Sequence, residues 1–385
     1  MRRKIWSILI LFVLSSVLAG CQRDSAPDSY LERAHLLLTQ VERDFYAAEQ
    51  GVLRMYVPEN PKENYLAYMW PYLSVVGAAG RYLGEAEDKA LTLFLDETIQ
   101  GLEAYRALSP DYHYYDSYPL EYGGGEPFYD DNVWVVLNLL DTGVALGRDE
   151  LVTQAMEIME YVYSGWNEAL GAINWRSTMP TANTCTNAPA AIASALLYQQ
   201  SNEERYLDWA KTLYDWCVRE MLDSRDYCYW DHIRLDGTKD MTKWTYNTGM
   251  MIYAGTLLYE ITGEARYLEE ARLSADGALE MFGKLYTEGE LTYYIYPKTP
   301  WFNLLLLQGF IAYDSAAGET RHVDSLKSAL DYAWENSRDE NGYVYADWGA
   351  AGPVPNPHYA YLLDQASTAE CYVLLSQWEA YVKAR

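Results

Sequence analysis

Apolar positions recur every three to four residues through most of the chain after residue 30. Short clusters of Gly, Pro, Asn and Asp interrupt them. That spacing is the period of an amphipathic helix, and the clusters are where helices stop. The pattern predicts twelve helices, over residues 29–50, 64–83, 86–108, 129–146, 149–163, 185–200, 203–221, 245–262, 265–283, 301–315, 321–336 and 360–382. They are of two kinds. Segments such as residues 203–221 carry one apolar stripe and suit a half-solvated position. The alternate segments, beginning at 64, 129, 185, 245, 301 and 360, are apolar nearly all round, and helices of that kind are buried. Residues 287–297 and 342–347 alternate with a period of two, which predicts small β-hairpin excursions in the loops.

The buried segments also repeat. Polar markers near their starts, at Tyr68, Asp130, Asn187, Asn247, Asn303 and Asp364, lie 56 to 62 residues apart. A fixed period of that length means a repeated helix–loop–helix unit. Six inner helices, each with an outer partner, predict an all-α (α/α)6 toroid. An open α-solenoid is the alternative, but six units fill the chain and favour closure. No Pro- or Ser-rich linker divides residues 30–385, so these residues are expected to form one domain. In such a ring the inner helices run the same way, and their N-terminal ends meet at one rim. That rim would gather Asp130, Asp131, Asn132, Asn187, Tyr246, Asn247 and Asn303. Asp364, a turn further in, would brace neighbouring helix ends. Residues 121–127, 177–185 and 238–243 would form the walls, with Gly123, Gly124 and Gly125 allowing backbone to approach a ligand closely.

The first twenty residues follow a different pattern. "MRRK" is a basic start, "IWSILILFVLSSV" an apolar stretch short of a membrane span, and "LAGC" ends in Cys21. This predicts a lipoprotein signal over residues 1–20, cleavage before Cys21, lipid on its thiol, and a polar tether over residues 21–29. An ordinary secretory signal with an incidental cysteine is the weaker reading. The expected location is the bacterial cell envelope, with Gln22 favouring the outer membrane. The lipid would be the membrane contact, and the protein is expected to be a monomer.

Composition narrows the ligand. The formal charge is −26, and loss of Arg2, Arg3 and Lys4 with the leader would leave about −29. Such a charge repels nucleic acid and other polyanions and is compatible with neutral glycans. Tyrosine and tryptophan, at 37 and 13, far outnumber the 7 phenylalanines. Rings with a polar tip can stack on sugar faces and bond their hydroxyls, and they also fill a wet helical core. Besides Cys21, the cysteines are Cys185, Cys217, Cys228 and Cys371, with no zinc-type spacing. Cys217 and Cys228 could pair in an oxidising compartment; four buried thiols are the other reading. His113, His232 and His358 lie in expected loops with no catalytic pattern around them.

The adjacent acids in "FYDDNVWVVLNLLD" carry the sharpest chemistry. One aspartate at a helix start is an ordinary cap that suits the helix dipole. Two in a row, at the mouth of a buried helix, are harder to explain as caps. Like charges held close drive one pKa up. One acid is then a proton donor and the other an ion, the division that glycoside hydrolysis uses.

Taken together, "YMWPYLSVVGAAG" (68–80), "YDDNVWVVLNLLD" (129–141), "TCTNAPAAIASALLY" (184–198), "WTYNTGMMIYAGTLLYEITGE" (244–264) and "LLDQASTAECYVLL" (362–375) resemble glycoside hydrolase family 76, in order and over nearly all the chain after residue 30. The resemblance implies an (α/α)6 fold and a retaining endo-α-1,6-mannanase acting on neutral α-mannan. It implies Asp130 as nucleophile and Asp131 as general acid/base, with no metal and no organic cofactor. Tyr246 and Asn247 match the family's Tyr-Asn motif. Asn132, Asn187, Trp134 and Trp175 are further candidates for sugar contact. The chain departs from the family pattern at Ala188, where glycine is usual, and at "PWFNLLLLQGF", where a segment with lysine and glycine is usual. Two alternatives remain at this level: a non-catalytic glycan-binding lipoprotein on the same fold, and another (α/α)6 enzyme acting on uronic-acid glycans.

Overall fold

The computed structural model describes residues 29–350, 352 and 358–385. The expected signal and most of the tether, Cys21 included, lie outside the described residues. Among the described residues there are twelve α-helices: α1 Tyr30–Phe45, α2 Met69–Glu85, α3 Lys89–Gly101, α4 Tyr129–Leu146, α5 Asp149–Ser164, α6 Thr184–Ser201, α7 Glu204–Met221, α8 Thr245–Thr262, α9 Ala265–Phe282, α10 Pro300–Ala317, α11 Arg321–Asn336 and α12 Leu362–Ala384. α4, α8 and α11 have the predicted bounds. α4, α8 and α10 end at Gly147, Gly263 and Gly318, each left-handed at the C-cap, a conformation that suits glycine.

The even-numbered helices pack in chain order, α2 on α4, α4 on α6, α6 on α8, α8 on α10 and α10 on α12. α12 packs back on α2, which completes a cycle. α3, α5, α7, α9 and α11 each pack on the helix before them, and α1 packs on α12. The two sequence classes map onto these roles. In α7 the buried residues Tyr206, Leu207, Ala210, Leu213, Tyr214 and Cys217 form one stripe, whereas α6 is buried from Thr184 to Ala195 without a break. Small residues set the closest crossing. A Cβ on Gly249 of α8 would lie 2.5 Å from the Leu305 carbonyl oxygen of α10, and one on Gly309 would lie 2.3 Å from the Gly249 carbonyl oxygen. Glycine lets the two backbones touch, which explains the Ala and Gly content of these helices.

The sequence pattern overruns the helices in four places, one of them the start of α2, expected at 64 and found at Met69. α1 stops at Phe45, where Tyr46–Ala47 pairs with Val52–Leu53. α3 stops at Gly101 and tightens into a 3₁₀ turn, and α12 starts only after the short strand Ala360–Tyr361. The hairpin expected over 287–297 is present as Lys284–Glu288 with Leu291–Ile295. The one expected over 342–347 is not: Val344 makes only an isolated bridge to Arg338. The pattern also misses a six-stranded sheet, in which Ala172–Arg176, Met179–Asn183 and Cys228–Arg234 are neighbours and Lys239–Lys243 joins the last of these. Those strands are short and partly exposed, so their alternation is weak. Cys185, Cys217, Cys228 and Cys371 are all free and buried, so the Cys217–Cys228 pairing does not occur.

Candidate active site

The inner helices meet at a cavity of about 310 Å³. The second residue of five of them lines it: Trp70 of α2, Asp130 of α4, Cys185 of α6, Tyr246 of α8 and Trp301 of α10. Asp131 and Phe302, each third in its helix, line it as well, with Tyr68, Ser117, Phe128, Trp134 and Trp175. A helix turns about 100° per residue, so the fourth residue points nearly opposite the second. That geometry divides the sequence candidates.

Asp130, Asp131, Trp134, Trp175 and Tyr246 reach the cavity as expected. Asn132 and Asn187 do not. Both are fourth in their helices, fully buried, and pair with backbone. Asn132 accepts from the Tyr115 N–H at 2.8 Å and donates to its carbonyl at 3.0 Å. Asn187 does the same with Ile173, at 2.9 Å each way. Gln365, fourth in α12, clamps Val344 at 2.8 and 2.9 Å. Thr248 accepts from the Tyr229 N–H, and Asn303 donates to the Pro297 carbonyl. The repeated amides therefore hold the incoming loops in place, and Asn132 and Asn187 are corrected from sugar contacts to loop clamps. Asn247 is also fully buried and does not line the cavity, and neither of its amide atoms has a partner among the described residues. Asp364 accepts no side-chain hydrogen bond among the described residues, so it does not brace helix ends as expected. Burial pushes its carboxyl up to about 7.

The adjacent acids have unequal surroundings. Asp130 Oδ1 accepts the Asp131 backbone N–H at 2.9 Å. Its Oδ2 accepts the Trp175 indole N–H at 2.8 Å and the Cys185 thiol at 3.5 Å. Nothing among the described residues donates to the Asp131 carboxyl. Burial pushes Asp130 up, to about 6, against the pull of these donors. Burial raises Asp131 well above the usual carboxylate range, and the charges of Asp130 and Asp116 raise it further. One carboxyl is thus arranged to hold a negative charge and its neighbour to hold a proton.

The wall that delivers Trp175 is built by the missed sheet. Trp175 lies on Ala172–Arg176, and Phe128 bridges to Arg176. The Arg176 guanidinium sits over the Phe128 and Trp175 rings and pairs with Glu126. Gly123 and Gly124 of the neighbouring loop have φ of 112° and 64°. Gly125 packs so tightly on Ser117 that a Cβ would lie 2.2 Å from its hydroxyl. Gly125 therefore closes on the protein's own cavity wall, while Gly123 borders open space. Trp301 packs edge-to-face on both Trp70 and Trp134, at 5.1 and 4.9 Å, which makes a floor of three indoles. Sequence reading missed Trp70, Trp301, Phe302 and Cys185. Their shared place at the second or third residue of an inner helix was the available signal.

No Lys, Arg or His lines the cavity among the described residues. His113, His232 and His358 pair with Glu157, Asp231 and Asp339, away from it. Asp231, His232 and Asp240 bring ligand atoms within 4.8 Å of one another, as do Asp314, Glu319 and His322. In the second group the Asp314 carboxylate is already occupied by the His322 and Val323 N–H groups and the His322 ring.

The sequence profile of glycosyl hydrolase family 76 matches residues 29–293. The chain belongs to this family. This family 76 hydrolase is 26% identical to a family 76 mannosidase from Bacteroides thetaiotaomicron, with a TM-score of 0.85 over 92% of this chain and 100% of that one. A Salegentibacter α-1,6-mannanase superposes with a TM-score of 0.73 at 21% identity, over 91% of this chain and 99% of that one. It is an inactive variant with two adjacent aspartates replaced, in complex with α-1,6-mannotetrose. Among curated relatives, a mannan endo-1,6-alpha-mannosidase of Candida glabrata is 32% identical over 94 residues, 23% of this chain. The match spans about a fifth, 21%, of that relative's length. Among the described residues, no helix of the family 76 chain is long and apolar enough to cross a membrane.

Proposed function

We propose that this family 76 hydrolase is a retaining endo-α-1,6-mannanase, built as a single-domain (α/α)6 toroid, with Asp130 as nucleophile and Asp131 as general acid/base. The observation that carries the reading is the unequal bonding of two adjacent carboxyls in one cavity. Three donors stabilise charge on Asp130. Asp131, without a donor and facing two other acids, keeps its proton. Asp131 gives that proton to the departing glycosidic oxygen as Asp130 attacks the anomeric carbon. Asp131, now ionised, takes a proton from water. The water oxygen displaces Asp130 from the mannosyl-enzyme and restores the original configuration. Trp70, Trp134, Trp175, Tyr246, Trp301 and Phe302 supply the surfaces on which mannosyl rings stack.

The substrate class draws support from relatives known as an α-1,6-mannanase and a mannan endo-1,6-alpha-mannosidase, and from the cavity. A uronic acid would meet two carboxyls and no lining cation. The same carboxyl pair speaks against a purely binding role, because a binder gains nothing from burying like charges. The protein is proposed to sit in the cell envelope, tethered by lipid on Cys21. Digestion of debranched α-1,6-mannan, followed by NMR of the first anomer released, tests the reading. Short α-configured manno-oligosaccharides are expected. Absence of hydrolysis, or cleavage of an acidic glycan instead, overturns it.

A further inference from the structure

The three donors on Asp130 come from different places. Its own helix supplies the Asp131 N–H and the missed sheet supplies Trp175. The third is the thiol of Cys185, the second residue of α6, next to α4 in the ring. Cys185 lines the cavity, and its sulfur lies 3.5 Å from Asp130 Oδ2, the oxygen that also accepts the Trp175 indole N–H. Tyr246, the second residue of α8, lines the same cavity, and its hydroxyl acts on the Cys185 thiol as a hydrogen-bond partner. Tyr246, Cys185 and Asp130 therefore occupy the same register on three successive inner helices.

We propose that Cys185 is a positioning residue for the nucleophile: it takes a hydrogen bond from the Tyr246 hydroxyl and donates its S–H to Asp130 Oδ2. The chemistry of the surroundings fits a donor and not a reactive thiol. Burial, with the nearby charges of Asp130 and Asp231, holds the thiol well above its ordinary range, so the proton stays on sulfur. Burial likewise keeps the Tyr246 hydroxyl protonated. A protonated thiol can serve the carboxylate as a donor while its sulfur accepts from the phenol. Trp175 and Cys185 together supply two donors to Oδ2, which opposes rotation of the carboxylate before substrate arrives.

The inference rests on Asp130 being the nucleophile, so its test has one readout through activity and one without it. The variants are Cys185→Ala, Cys185→Ser and Tyr246→Phe. The readouts are the pH profile of kcat/KM on α-1,6-mannan and the ¹³C carboxyl titration of Asp130 in the resting protein. Cys185→Ala removes a donor to the ionised form. It is expected to move the acidic limb and the Asp130 titration up by about half to one pH unit, a roughly three- to tenfold loss of kcat/KM below the limb. Cys185→Ser, with a stronger donor, is expected to leave both at or below the native position, and Tyr246→Phe to move both up by less than Cys185→Ala. A folded Cys185→Ala protein with both readouts superimposed on the native ones overturns the proposal. If Cys185→Ala fails to fold, an upward shift in Cys185→Ser overturns it. If the native protein proves inactive on mannan, the carboxyl titration still decides the contact, and only the functional reading falls.

Discussion

The two ends of α4 use buried acid in opposite ways. At its start Asp130 and Asp131 face a cavity with no lining cation. Three turns on, Asp141 pairs with Arg81 of α2, whose Nε also donates to Glu370 of α12 at 2.8 Å. Gln308 of α10 adds a bond to Glu370 at 3.1 Å. The lower cluster joins four inner helices and sets one guanidinium between its two carboxyls, whose pull opposes the rise that burial and Asp141 impose on Glu370. The upper pair is left with a surplus of negative charge, and the cost of burying it appears as raised carboxyl pKa values. The contrast teaches that buried carboxylates stabilise a ring when a guanidinium is set between them. They become reactive when the nearest counterpart is another acid.

Replacing acids at the upper end is expected to have the largest effect, and on rate rather than folding. Asp131→Asn should lower kcat on mannan by a thousandfold or more, on the order expected for a lost proton donor and base. Its melting temperature should be unchanged or higher, since the cost of holding a proton on the half-buried Asp131 carboxyl is removed; a simultaneous fall in both would merge the two ends into one structural role. The lower end should answer the other way. Arg81→Met leaves Asp141 and Glu370 without their cation and should destabilise by about 2–4 kcal/mol in urea unfolding, discounted for partial exposure. Its kcat per folded molecule should stay within a few-fold of native.

A smaller loss, about 2 kcal/mol, is expected for Asn187→Ala, which strands the Ile173 N–H and carbonyl in a buried site. Because that clamp also holds the strand bearing Trp175, the acidic limb of the rate profile should rise slightly with it. The smallest effect should come from Asp364. Its folded carboxyl is raised to about 7 from an ordinary 3.8, by burial. The folded chain therefore keeps it neutral where the unfolded chain has ionised it. Stability falls as pH climbs between those values, and the loss is complete above the folded one. Asp364→Asn should add about 1–2 kcal/mol at pH 8, after allowance for its partial exposure, and close to nothing at pH 4. Equal gains at both pH values would mean that the carboxyl is not the cause.

The sequence by itself determined the helices, their inner and outer classes and the adjacency of the two acids. Helical period, left-handed glycine stops and the order of residues are local properties, and local sterics and hydrogen bonding set them. The 56–62-residue repeat of polar markers was legible too, but its meaning was not. Asn132 and Asn187 carry the same amide whether they meet a sugar or backbone. The 200° turn between second and fourth helical residues sends them to the backbone of Tyr115 and Ile173. Only the tertiary structure decided that five second-position residues from five helices share one cavity, and that a sheet too irregular to read brings Trp175 to Asp130. It also decided that Asp130 gathers donors while its neighbour gathers none. Those facts depend on contacts between segments far apart in the chain. An acid's behaviour follows from the donors, charges and water within a few ångströms of it, which no stretch of thirteen residues contains.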